Sequence, residues 1–229
     1  MPLAIVFTES VPLLANRGLA RPLAALLRWW IQQQVTQVEN LEVVLGDLAP
    51  VWSAGYLPLV QVNARNVIYR DIHLHQVNIR AERIQFHWPF FRKQEDPFVE
   101  PITVEIQAVI TEQNLNQSLP YLQTFLQPYL QALTGQIGTV QQLQIQNPNL
   151  YWLMQDGRQY ITQVEVIAPD EIRLTPLAAR TQPISISLGS DVQIQTLTMA
   201  TGAIHLSGQL LIRPAGAPAR SQSNRPGEQ

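Results

Sequence analysis

The stretch ITVEIQAVITEQNLNQSL, residues 102–119, contains the change of periodicity that decides the fold. Apolar and polar residues alternate from Ile102 to Ala108, which is the period of a strand with one buried face. From Leu115 the apolar residues recur at steps of four and three, the spacing of one helical face. They are Leu115, Leu119, Leu122, Leu126, Tyr129 and Leu133. We therefore expect a strand to pass directly into a long amphipathic helix, with one apolar surface continuing from one to the other.

A second amphipathic helix is predicted nearer the N-terminus, over residues 22–38. Its apolar stripe consists of Leu23, Leu26, Leu27, Trp30, Ile31, Val35 and Val38. Such a stripe either packs on the core or contacts a membrane. Trp29 and Trp30 favour membrane contact because Trp is suited to the headgroup boundary, and Arg28 would favour anionic lipid. The sequence of this helix is compatible with core packing and with membrane contact.

Most of the remaining chain has the alternating pattern of strands. Within residues 60–86 the apolar parity changes several times, which predicts tight turns or inserted residues that bend a sheet. Asp156-Gly157 and Thr201-Gly202 predict hairpin turns. We expect an α+β fold in which a strongly curved antiparallel β-sheet wraps around the long amphipathic helix, with the second helix at the N-terminus.

The predicted organisation is a single domain over residues 19–213. Residues 1–18 contain Pro2, Pro12 and Gly18 without clear periodicity and are predicted to form an irregular arm. Residues 214–229 have almost nothing to bury and are predicted to be a disordered tail.

Composition excludes several classes of function. The chain has a net charge of -2, which argues against a nucleic-acid partner. It has no cysteine, so disulfides and thiolate metal sites are excluded. The apolar opening MPLAIVF is short and is followed closely by Glu9, so we do not expect it to be a secretory signal. We expect a peripheral membrane location on the cytoplasmic side, with the periplasm or cell envelope as the alternative.

Motifs for catalysis or metal binding are missing from the sequence. It has no Gly-x-Ser-x-Gly elbow, phosphate loop, His-Glu-x-x-His or dinucleotide fingerprint. His73 and His75 would share one strand face, but a metal site needs a third ligand. We therefore predict a protein that is not an enzyme and has no metal or cofactor.

Residues 110–116, ITEQNLN, are similar to the signature of the bacterial LmeA-like phospholipid-binding family. That signature reads Leu or Ile, Thr, Glu, any residue, Asn or Asp, Leu, Asn. The resemblance extends upstream through residues 60–86 and the N-terminal helix, so it covers roughly residues 20–210. It implies a roll like that of the tubular lipid-binding proteins. It also implies non-enzymatic binding, and transfer, of phospholipid or another amphiphile at a membrane.

Under this hypothesis, acyl chains lie in an elongated apolar groove. The predicted lining is Ile102, Val104, Ile106, Ala108, Leu115, Leu119 and Leu122. The headgroup or the membrane surface would meet basic and aromatic residues, since Arg is suited to lipid phosphate. These are Arg28, Trp29, Trp30, Arg80, Arg83, Trp88, Phe91 and Arg92.

An alternative hypothesis explains the same pattern without a ligand. The apolar faces close on each other and leave a filled core, and the protein is a structural or interaction module of the cell envelope. Periodicity identifies which residues avoid water, and it does not distinguish a filled core from a groove.

Overall fold

The computed structural model describes residues 17–49, 55–85, 100–134, 138–178 and 182–213. Within these ranges the strands form two antiparallel sheets, of six and five strands. In the described part of the chain neither sheet closes into a barrel, because each ends in strands that pair on one side only. Strands predominate over helices, which fits the broad α+β expectation. The predicted arm up to residue 16 and the predicted tail lie outside the described residues.

The first sheet has the strand order β1-β2-β3-β4-β11-β10. Its strands are β1 (Gln37–Leu45), β2 (Tyr56–Tyr69), β3 (Ile72–Gln85), β4 (Ile102–Thr111), β10 (Val192–Ala200) and β11 (Ala203–Ile212). In β4 the buried Ile102 and Val104 alternate with the exposed Thr103 and Glu105, as the period of two predicts. Helix α1 (Arg17–Gln34) precedes this sheet and packs on its apolar face.

Strands β2 and β3 form one long hairpin, whereas the sequence predicted several short strands in this region. The turn consists of Arg70 and Asp71, whose φ angles are 48° and 63°. Two left-handed residues match the twist of the flanking strands, which makes this turn tight. The register is constant along the whole hairpin. The predicted parity changes therefore do not come from residues inserted between these two strands.

Single left-handed residues inside the strands account for two of the parity changes. Asn66 has φ 47° in β2 and Arg83 has φ 51° in β3. Around Asn66 the buried residues Ala64 and Val67 are three positions apart instead of two. The left-handed backbone rotates the next side chain to the other side of the strand, and Asn tolerates this conformation better than most residues.

The second sheet has the order β5-β6-β7-β8-β9. Its strands are β5 (Val140–Gln146), β6 (Asn149–Met154), β7 (Gln159–Ala168), β8 (Glu171–Pro176) and β9 (Ile184–Ser187). Two helices, α2 (Glu112–Gln117) and α3 (Leu119–Thr134), connect β4 to it. Inside this sheet the indole Nε1 of Trp152 donates to Thr162 Oγ1 at 2.8 Å, so the two buried polar groups satisfy each other.

Both predicted hairpin turns are confirmed. Asp156 and Gly157 lie in the turn between β6 and β7, where Gly157 has φ 84°. Thr201 and Gly202 form the turn between β10 and β11, where Gly202 has φ 79°. Glycine adopts these angles without steric cost, which is why the sequence signal was reliable.

Three expectations are wrong. The strands form two sheets instead of one sheet wrapped around the long helix. Helix α3 packs on the second sheet through Leu119 and Leu130, whereas the buried Ile102 and Val104 of β4 lie in the cluster that contains Leu27 of α1. The N-terminal helix ends at Gln34, so Val38, which was predicted to lie on its stripe, belongs to β1.

Candidate functional site

The apolar face of the first sheet is built from rows of directly paired residues on successive strands. One row is Leu45, Val60, Ala81, Val104 and Leu210, and the next is Val43, Val62, Ile79, Ile106 and Gly208. Side chains that face each other across strands lie in contact, so the rows merge into one continuous surface. We call this surface the apolar face.

Helix α1 covers part of the apolar face. Leu27 is buried in the cluster that includes Val60, Ile102 and Val104, and Leu23 and Ile31 pack against it. Leu23, Leu27 and Ile31 make these contacts with aliphatic side chains. The predicted stripe of the N-terminal helix therefore packs on the sheet through its central residues.

Around this buried cluster lies a rim of half-buried aliphatic side chains. Ile79, Leu210 and Ile212 pack against the cluster without being buried, and Ile106 is half-buried beside Ile79. On the other side of Ile106 the paired residue is Gly208, where the backbone of Gln193 and Ile194 in β10 occupies the place of a side chain. The rim leaves aliphatic surface in contact with solvent.

The predicted groove residues divide between core and rim. Ile102, Val104, Ala108 and Leu119 are buried, with relative exposures of 6%, 3%, 7% and 7%. Ile106, Leu115 and Leu122 are half-buried. The strand residues and the helix residues lie in different clusters, because Leu115 and Leu119 pack with the second sheet.

The two apolar regions meet through the end of β11. Ile204 is paired with Ile110 of β4 and with Met199 of β10, and both Ile204 and Met199 pack against the cluster of the second sheet. The apolar face of the first sheet thus continues into the second core. This continuation follows β10 and β11, whereas the sequence predicted that it would follow the strand–helix junction alone.

Helix α2 joins the sheets through its polar side chains. The Asn116 side chain accepts from Leu143 N at 2.8 Å and donates to Leu143 O at 2.8 Å. A carboxylate oxygen of Glu112 accepts from Ile145 N at 2.8 Å. These side chains occupy the edge of β5 along which no strand pairs in the described part of the chain, so backbone groups of Leu143 and Ile145 are satisfied there.

Backbone bonds from the β10–β11 turn complete the connection between the sheets. Glu112 N donates to Gly202 O at 2.8 Å, and Gly202 N donates to Ile145 O at 3.0 Å. We call α2, this turn and β5 the joint. The joint contains residues 112–116 of the ITEQNLN segment, and Ile110 and Thr111 end β4 directly before it, so these signature residues have structural roles.

Capping bonds keep the joint helix in place. Thr111 and Asn114 form a capping box, in which each side chain bonds the other residue's backbone N–H. Ser118 Oγ donates to Asn114 O and accepts from His73 N, both at 2.8 Å. The bond from His73 N ties α2 to the β2–β3 hairpin.

Beside the joint lies a polar cleft of about 670 Å³. Its lining includes His73, His75, Glu39 and Gln113. No group of three or more His, Cys, Asp or Glu residues suited to a metal ion occurs in the described part of the chain.

The predicted headgroup residues are spread over different surfaces. Arg80 is paired with Gln61 and Glu105 on the side of the sheet opposite to Ile79, and its guanidinium forms a 2.7 Å ion pair with Glu82. Arg83 is exposed, and its Cζ lies 5.9 Å from the centre of the Tyr56 ring. Trp88, Phe91 and Arg92 lie outside the described residues.

Of the predicted membrane residues of α1, Arg28 and Trp29 are exposed, and Trp30 lies on the same helical stripe as Leu23 and Leu27. Trp29 is 54% exposed, Arg28 is exposed and Trp30 is half-buried. Among the described helices, none combines the length and the apolar character needed to cross a bilayer.

An ion pair closes the far end of the β10–β11 hairpin. The Arg213 guanidinium bonds the Asp191 carboxylate at 2.6 Å and holds the pKa of that carboxyl below its ordinary value. Sequence reasoning missed this pair, because the two residues flank the hairpin at a distance in sequence that carries no motif.

Comparison with protein-family models matches residues 14–211 of the 229-residue chain to the family described as LmeA-like phospholipid-binding. The match begins before α1 and ends at the penultimate residue of β11, so the joint, the second sheet and all of the first sheet except Ile212 lie inside it. Searches of curated proteins and of solved structures find no match.

Proposed function

Since the chain belongs to the LmeA-like phospholipid-binding family, we propose that it binds a phospholipid or related amphiphile, without catalysis, on the apolar face of its six-stranded sheet. The half-buried rim of Ile79, Ile106, Leu210 and Ile212 around the cluster beneath α1 supports this placement. An acyl chain that binds at an aliphatic rim removes the surface of the rim, as well as its own, from water, so the binding free energy is most favourable there.

The chemistry of the rim suits an acyl chain. Burying each methylene is worth about 0.8 kcal/mol, so a few methylenes outweigh one typical hydrogen bond. The groove begins at the half-buried Ile106 and extends towards Ile102 and Val104 when α1 moves outward.

Helix α1 serves as the cover of the groove. Its contacts with the sheet, through Leu23, Leu27 and Ile31, are aliphatic, so an entering acyl chain replaces them with contacts of the same kind. The rest of the predicted lining, Leu115, Leu119 and Leu122, extends the site towards the second core.

The outer side of α1 is the proposed membrane contact. Trp29 sits at the headgroup level and Arg28 meets lipid phosphate, while Trp30 anchors the helix edge. Arg83, exposed near the end of β3, is the proposed second headgroup contact. In this arrangement the protein is peripheral to a membrane and collects or transfers lipid there.

Native mass spectrometry tests lipid binding directly. The full chain is incubated with monomers of a short-chain phosphatidylcholine, which reach the protein without a bilayer. We expect a complex with one phospholipid for the wild type. A wild-type protein that stays free of lipid would overturn the proposal and support the filled-core module instead.

Neighbouring residues on opposite sides of β4 provide matched variants. Ile106→Asn places an amide in the rim and should lower lipid occupancy about tenfold or more, whereas Ile106→Met keeps the aliphatic surface and should retain binding. Gln107→Ala changes the other side of the strand and should have no effect. Equal occupancy in folded Ile106→Asn and Gln107→Ala would contradict the placement.

A further inference from the structure

Helix α3 has an outward surface that the proposed lipid site does not use. Its inward side chains, Leu119 and Leu130, are buried against the second sheet. On the opposite side, Tyr121 and Phe125 are 43% and 45% exposed. The outer face of α3, as we define it, also includes the exposed Pro120, Thr124, Pro128 and Gln131.

The aromatic rings of α3 form a row along one edge of this face. Tyr121, Phe125 and Tyr129 are spaced four residues apart, so successive rings are neighbours on the helix. The centres of the Phe125 and Tyr129 rings are 6.0 Å apart. Two large exposed rings one helical turn apart make a patch instead of isolated apolar residues.

The helix that carries the patch has no charged side chain. Residues 113–155, which include all of α3, contain no Asp, Glu, Lys, Arg or His. The polar groups there are amides, hydroxyls and phenols. A partner that binds by charge complementarity would find no opposite charge on this helix.

We propose that the outer face of α3 docks on the headgroup region of an uncharged, zwitterionic phospholipid bilayer. Tyr and Phe place their rings at the boundary between headgroups and acyl chains, and the Tyr hydroxyl stays in contact with water. An uncharged face can be partly desolvated without the cost of moving an ion out of water. Binding is therefore independent of anionic lipid and of salt.

This inference rests on the proposed function in one respect: a protein that binds phospholipid must meet a bilayer to collect it. It adds a second contact that differs in chemistry from the proposed Arg28–Trp29 contact of α1. Contact through α1 requires anionic lipid and is weakened by salt, whereas contact through α3 requires neither.

Flotation of the full chain with vesicles of pure phosphatidylcholine tests the docking face. We expect the wild type to bind equally at low and high salt, and Tyr121→Ser with Phe125→Ser to bind about tenfold more weakly. Thr124→Glu puts a charge between the two rings and should weaken binding to a similar extent. The matched control is Tyr69→Ser with Leu177→Ser, because these residues are 42% and 50% exposed elsewhere on the surface.

The outcomes separate this inference from the proposed function. Loading with short-chain phosphatidylcholine monomers needs no bilayer, so the α3 double variant should load like the wild type. If neither the wild type nor any variant loads monomers while the α3 variants still lose vesicle binding, the proposed function is contradicted. The docking of α3 on the bilayer is then still supported. Vesicle binding that is absent in the wild type, abolished by salt, or unchanged in the double variant would overturn the inference.

Discussion

Asn116 and Leu143 exchange two hydrogen bonds of 2.8 Å, so one side-chain amide takes the place of a paired strand at the edge of β5. The same amide also donates to Glu112 O within its own helix. Leu143 is 1% exposed, so its backbone N–H and C=O lie where water does not replace a lost partner. Asn is the side chain that offers a donor and an acceptor at this reach.

Replacing Asn116 with Ala should destabilise the fold strongly. The change leaves the buried N–H and C=O of Leu143 without partners, and we expect a loss of about 2–3 kcal/mol in the free energy of unfolding. Urea denaturation measures it. Gln113→Ala, on the exposed side of the same helix, should change stability by less than about 0.5 kcal/mol. Equal effects of the two substitutions would show that the amide does not hold the edge of β5.

Gly208 should not tolerate a side chain. A Cβ at this position would collide with the Gln193 carbonyl oxygen and lie 3.1 Å from Ile194 Cα, at the bulge where β10 changes register against β11. Gly208→Ala should cost about 1–3 kcal/mol by overpacking. The exposed Thr198→Ala on β10 is the control. Thermal unfolding that shows no difference between the two variants would contradict the close packing at this bulge.

The Asp191–Arg213 pair should make stability depend on pH. The folded state has the lower pKa for Asp191, so the pair stabilises the protein above the unfolded pKa of about 3.9, and this contribution disappears as pH falls through the folded pKa. Asp191→Asn should therefore be less stable than the wild type at neutral pH and equal to it in strong acid. Asp71→Asn, in an exposed turn, is the control. A difference that persists unchanged in acid would rule out the ion pair as its cause.

Trp29 should contribute to binding of anionic vesicles. Its ring is 54% exposed next to Arg28, so Trp29→Ser should reduce partition about tenfold, and Arg28→Gln should reduce the sensitivity of binding to salt. Gln33→Ser, also exposed on α1, is the matched control. If both variants bind to anionic vesicles as the wild type does, α1 has only a packing role.

Local features of the fold could be predicted from the sequence. The alternation from Ile102 to Ala108 identified β4, and the turns at Gly157 and Gly202 were predicted because positive φ angles favour glycine. These signals depend on residues close together in the chain. The parity changes in the β2–β3 hairpin were also visible, although their cause, left-handed residues such as Asn66, was not.

The division into two sheets could not be predicted. It depends on Asn116 and Glu112 occupying the edge of β5, and hydrophobic periodicity contains no information about a polar side chain that replaces a strand. The sequence showed that α3 was amphipathic but not which sheet it would cover. For the same reason the predicted lining was assembled from two clusters, with Val104 in one and Leu119 in the other.

Photolabelling locates the acyl chain and tests the account most directly. The probe is a phosphatidylcholine with a diazirine at the end of one acyl chain, and the labelled residues are identified by fragmentation mass spectrometry. We predict labelling of Ile79, Ile106 and Leu210 that excess unlabelled phospholipid suppresses. Labelling confined to the opposite side of the sheet, at residues such as Gln61 and Glu105, or labelling that unlabelled lipid does not suppress, would contradict a lipid site on the apolar face.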